Sequence, residues 1–153
     1  MKMKKLLLTL MLAVVSSSAM AEWVEIGEIE DGDITVYADP TTIRKTGNKV
    51  KIWVLIDRKT TWVPDGHKTA IEELGVLSSK GKRVYDCEKK QWRILFLALY
   101  SENMGGGETV LTINSRDEWK PVPPPDSAGR AVFKFACSFR PELPHTFPDK
   151  TFS

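Results

Sequence analysis

QWRILFLALYS, residues 91–101, decides how the rest of this chain reads. Trp92, Ile94, Phe96, Ala98 and Tyr100 fall on one side of an extended run, and Arg93, Leu95, Leu97 and Leu99 on the other. Successive side chains of a strand point to opposite faces, so this strand is apolar on both. Such a strand belongs near the middle of a sheet with something packed on each side. Downstream, NMGGG at 103–107 is a turn, read as a tight hairpin, and 108–114 returns as a further strand. Upstream, 77–87 is a strand weakened by Gly81.

Farther upstream, KVKIWVLIDR at 49–58 alternates cleanly. Val50, Ile52, Val54 and Ile56 share one face, and Lys49, Lys51, Trp53, Leu55 and Asp57 share the other. Two shorter strands, 23–27 and 33–38, flank an EDGD turn, and Asp39-Pro40 then breaks the chain. Thr41–Arg44 reads as a connector, and Thr46-Gly47-Asn48 as a second turn. The stretch 59–76, with Pro64, Gly66 and Gly75, reads mainly as a long loop with a helical turn at 69–74.

After the strands the composition changes. WKPVPPPD at 119–126 is an extended proline segment. Asp126 or Ser127 can cap a helix over 128–138. Arg130, Lys134 and Ser138 form its narrow polar stripe, and apolar residues cover most of the remaining circumference. Pro141 and Pro144 follow its end. The fold class is therefore α+β: an antiparallel sheet of about six strands with one C-terminal helix packed on it. Short connections favour the antiparallel pairing.

The first residues carry an export signal. Lys2, Lys4 and Lys5 precede the apolar run LLLTLMLAVV, and AMA at 19–21 matches a cleavage site, so 1–21 reads as a signal peptide. The apolar run is too short for a spanning helix, which needs about 20 residues. No cysteine stands at the cleavage site, which argues against a lipid anchor there. The expected mature protein is a single domain over 22–140 with a loose proline-containing tail over 141–153, periplasmic or secreted. Its two cysteines, Cys87 and Cys137, then meet an oxidising compartment, where they pair as one disulfide between the strand end and the helix end.

Charge narrows the function classes. The chain has 22 Lys+Arg against 20 Asp+Glu, and removing the three signal lysines leaves 19 against 20, a net charge of −1. That balance speaks against generic nucleic-acid binding, which needs a basic footprint. Lys80, Lys82, Arg83, Lys89, Lys90 and Arg93 nevertheless surround Cys87, with only Asp86 and Glu88 among them. They are the candidate partner-binding residues, although strand alternation divides them between two faces. Catalytic candidates are absent: there is no C-x-x-C, no G-x-S-x-G elbow, no H-E-x-x-H and no P-loop. His67 and His145 stand alone, without the companions of a metal site.

The stretches VYADPTTIRKTGNKVKIWVLID (36–57), VYDCEKKQWRILFLALYS (84–101), GGGETV (105–110), the proline segment and DSAGRAVFKFAC (126–137) occur in an order that resembles the surface-adhesin protein E family. The resemblance implies an antiparallel sheet whose C-terminal helix is tied down by the Cys87–Cys137 disulfide. It also implies a non-enzymatic binding module for extracellular matrix or plasma proteins such as vitronectin and laminin, with Lys80–Arg93 as the matching basic stretch. Haem binding, attributed to the same family, is the cofactor alternative, with His67 or Tyr85 as ligand. An envelope structural role is the third reading. The lipid anchor that displays the family's adhesin on the cell surface has no matching cysteine here.

Overall fold

The computed structural model describes residues 21–62, 75–115 and 118–140. Six strands follow one another across a single sheet in sequence order: β1 (Val24–Ile29), β2 (Ile34–Thr46), β3 (Lys49–Trp62), β4 (Val76–Asp86), β5 (Gln91–Tyr100) and β6 (Thr109–Asn114). Every pairing is antiparallel. A two-residue strand, β7 (Lys120–Pro121), also pairs with β5. One helix, α1 (Ala128–Ser138), packs chiefly on β1–β3 and reaches β4.

The helix-facing core follows the alternation of β3. Val50, Ile52 and Val54 are essentially without solvent exposure, and they meet Val36 and Ala38 of β2, Tyr85 of β4, and Val132, Phe133 and Ala136 of α1. Ser127 caps the helix: its hydroxyl accepts from Arg130 N at 3.2 Å and donates to the Pro124 carbonyl at 2.7 Å. Replacing Ser127 by alanine should cost about 1 kcal/mol, read as a lower urea midpoint at unchanged slope. Gly129 lets the proline segment cross closely, since a Cβ there would lie 2.7 Å from Pro123 Cγ. The Cys87–Cys137 disulfide joins the first residue of the β4–β5 turn to the last turn of α1.

Five expectations need correction. The Thr41–Arg44 connector is part of β2, which passes Pro40 by a wide bulge. Asp39 lies opposite Trp53 and Arg44 opposite Lys51, so Pro40, Thr41, Thr42 and Ile43 face Ile52 alone. Proline cannot donate to a ladder, and side chains replace what is lost. Asp39 Oδ1 accepts from Thr41 N at 3.0 Å and from its hydroxyl at 2.5 Å, while Trp53 N donates to Thr42 Oγ1 at 3.0 Å.

The second correction concerns β5. Lys82 pairs with Phe96 but Arg83 with Ile94, so Leu95 is an extra residue. An inserted residue reverses the parity of everything beyond it. Trp92 and Ile94 therefore stand on the helix face, whereas Phe96, Ala98 and Tyr100 belong to the opposite one. Among the described residues no helix packs on that opposite face, and the Asn103–Gly105 turn covers only part of β3 and β4 there.

Third, the glycine-rich turn is a longer connection with a 3-10 turn at Asn103–Gly105, folded across β3 and β4. Asp57 Oδ1 accepts from Met104 N at 2.8 Å and Asn103 Nδ2 at 3.1 Å, and Ser78 Oγ accepts from Gly105 N at 2.8 Å. Fourth, the proline segment contributes to the sheet: Lys120 and Pro121 lie opposite Trp92 and Gln91, and Val122 N donates to Lys90 O at 3.0 Å. The long loop begins later than expected, since β3 runs to Trp62. Its helical turn at 69–74, like the tail, lies outside the described residues.

Candidate binding face

Residues directly opposite in an antiparallel pair share a face, so register decides which charges meet. On the face away from α1, Trp53 lies opposite Lys82, Leu55 opposite Lys80, and Lys51 opposite Val84. Val84 in turn lies opposite Arg93, and Lys82 opposite Phe96. Arg44 joins them from beyond the β2 bulge, opposite Lys51.

Two hollows lie on this face. One, of about 600 Å³, is bounded by Trp23, Trp53 and Tyr100 and by Arg44, Lys51, Lys80 and Lys82. The other, of about 420 Å³, is bounded by Trp119, Lys49, Arg93, Val84 and Leu95. Arg44 and Lys51 border both, so the two form one continuous shallow groove.

The rings position the cations. Lys80 Nζ lies 5.3 Å from the Tyr100 ring centre and 5.9 Å from that of Trp23. Its stem passes where Gly105 has no side chain: a Cβ there would fall 2.1 Å from Lys80 Cε. Lys49 and the Arg93 guanidinium lie 5.7 Å and 4.8 Å from the Trp119 ring centre. Trp53 packs edge-on against Phe96 at 5.7 Å. Arg44 donates to the carbonyls of Thr41 at 3.0 Å and Ile43 at 2.8 Å, which pins its guanidinium to the bulge. Arg93 Nε is buried without a hydrogen-bond partner. Among the described residues one carboxylate borders the groove, that of Asp39, which is buried and engaged by Thr41.

The basic residues singled out in the sequence separate into three places. Lys80, Lys82 and Arg93 stand on the open face. Arg83 lies opposite Ile52 on the helix side, its guanidinium 5.2 Å from the Trp92 ring centre. Lys89 and Lys90 are exposed in the β4–β5 turn. Arg44, Lys49 and Lys51 and the tryptophans border this face as well, outside the residues singled out. The signal for two of them was present, since Lys49 and Lys51 share the polar side of β3 with Trp53; what was hidden was the register that sets them beside β4. Tyr85 is 1% exposed between Trp92 and Phe133, within the core under the helix, and His67 lies outside the described residues. Arg58, at the far end of β3, has its pKa lowered by burial, against the raising effect of Glu30. Among the described residues no three His, Cys, Asp or Glu side chains converge as a metal site. None of their helices is long and apolar enough to cross a membrane.

Residues 23–138 match the family described as surface-adhesin protein E. The chain belongs to this family. Protein E of Haemophilus influenzae has the same fold. Its crystal form II matches with a TM-score of 0.50 at 13% identity, over 74% of this chain and 86% of that one. Its selenomethionine form matches with a TM-score of 0.50 at 12% identity, over 75% and 84% respectively. No curated protein sequence matches. The protein E family is one of adhesins, not of enzymes, and membership places the chain among adhesin-like surface or exported proteins.

Proposed function

We propose that the protein is an exported, non-enzymatic binding module. It holds an acidic component of the host extracellular matrix or plasma proteins through the open face of its sheet. One observation carries this reading: Arg44, Lys49, Lys51, Lys80, Lys82 and Arg93 converge with three tryptophans along one groove. Membership in a surface-adhesin family supports it. Clustered cations on one surface attract a negatively charged partner and raise its rate of encounter even when net protein charge is near zero. The Lys80–Arg93 stretch contributes Lys80, Lys82 and Arg93 to the contact, while Arg83 supports the core beneath.

Reversing two charges together, Lys51→Glu with Lys82→Glu, should weaken attachment to immobilised matrix proteins by at least about tenfold. The control, Lys89→Glu with Lys90→Glu, alters net charge equally but lies in the turn, and its attachment should stay near wild type. Unchanged attachment by the Lys51/Lys82 variant would sink the assignment of this face.

A further inference from the structure

We infer that the acidic component is a linear sulfated polysaccharide laid across β3, β4 and β5. This rests on the binding-face reading above and names its ligand class. The groove is open and shallow, and its cations are spread out rather than focused on one point. Strands stand about 5 Å apart and alternate residues of one strand about 7 Å apart. Lys49 and Lys51 on β3, opposite Asp86 and Val84, and then Lys82 and Lys80 on β4, opposite Trp53 and Leu55, therefore follow one another as a line of positive charge roughly 20 Å long. A single carboxylate answers one point of that line, whereas a chain with anions at every sugar answers many.

The chemistry of the cations points the same way. Four of the six are lysines, compact charges with rotatable donors that suit the monodentate oxygens of sulfate. Rings beneath Lys80, Lys49 and Arg93 hold these cations above the sheet.

Two other polyanions fit less well. Single-stranded nucleic acid binds by stacking bases on free aromatic faces. Here cations lie over Trp23, Tyr100 and Trp119, and Trp53 is packed against Phe96. An acidic peptide docks by adding a strand to a sheet edge or by filling an apolar pocket. This groove crosses β3 and β4, whose backbones are paired on both sides, so it offers no free strand edge.

The test titrates the full disulfide-bonded protein with a heparin oligosaccharide, the same oligosaccharide after desulfation, polyglutamate and oligothymidylate. Heparin is expected to bind at least about tenfold more tightly than the other three. The Lys51→Glu, Lys82→Glu variant should lose about tenfold for heparin with an unchanged far-ultraviolet circular dichroism spectrum, and Lys89→Glu, Lys90→Glu should not. Equal affinity for polyglutamate or oligothymidylate, or an equal loss in the turn variant, overturns the inference. If heparin fails to bind while attachment to matrix proteins still depends on Lys51 and Lys82, the ligand class falls and the binding face stands. If the wild type binds neither, both fall.

Discussion

Replacing Cys87 and Cys137 together by alanine should lower the unfolding free energy by about 4 kcal/mol. The two cysteines are 50 residues apart in sequence, so their bond closes a long loop in the unfolded chain as well as in the native one. Cross-linking residues that far apart removes a large share of the unfolded chain's freedom, and that loss is the source of the stabilisation. The effect is large against the 5–15 kcal/mol typical of a domain. Urea unfolding of the variant beside the wild type, both without reductant, measures it. A loss below about 1 kcal/mol would mean that the bond constrains little that the fold does not already hold.

Phe133→Ala should cost about 3–5 kcal/mol, the usual range for removing a buried ring from a core. Phe133 is 9% exposed and packs with Tyr85 at 6.0 Å between ring centres, so its loss opens a cavity where helix and sheet meet. Thermal or urea unfolding gives the value. Combining this substitution with the loss of the disulfide separates two accounts of the bond. If the bond acts through the unfolded chain, the two costs add to within about 0.5 kcal/mol. If it acts by pressing α1 onto the sheet, the cavity grows more costly without it, and the double variant falls below the sum.

The elements whose packing is set by local alternation were readable before the structure. β3 places Val50, Ile52 and Val54 under the helix as its pattern requires, and α1 exposes Lys134 and Ser138 along the expected stripe, while Arg130 lies half-buried and donates to the Pro123 carbonyl. The disulfide followed from two cysteines and an export signal. What escaped was everything governed by one inserted residue or by contacts distant in sequence. At Leu95 the alternation of apolar residues continues unbroken, because both faces of β5 accept apolar side chains, and nothing local marks the change of side. The partial burial of that strand reflects this, with only Ala98 and Leu99 fully enclosed. The proposed binding face was half legible for a related reason. Lys80, Lys82 and Arg93 lie near one another in sequence, whereas Arg44, Lys49 and Lys51 join them only through strand pairing. Proline signals misled in the opposite direction: Pro40 read as a break and Pro121 as part of an extended segment outside the sheet, yet both lie in strands, at a bulge and at a two-residue edge strand, where no ladder donor is needed.

The position of the disulfide also decides how the molecule carries a load. A pull on the chain beyond Phe139 reaches the sheet through Cys137 and then Cys87, because the covalent path is shorter than the backbone between them. Residues 88–136, which include β5, β6, β7 and most of α1, lie inside the closed loop and bear no tension. Arg93 and Trp119 are within that slack segment, whereas Lys80 and Lys82 sit on the strand that takes the force.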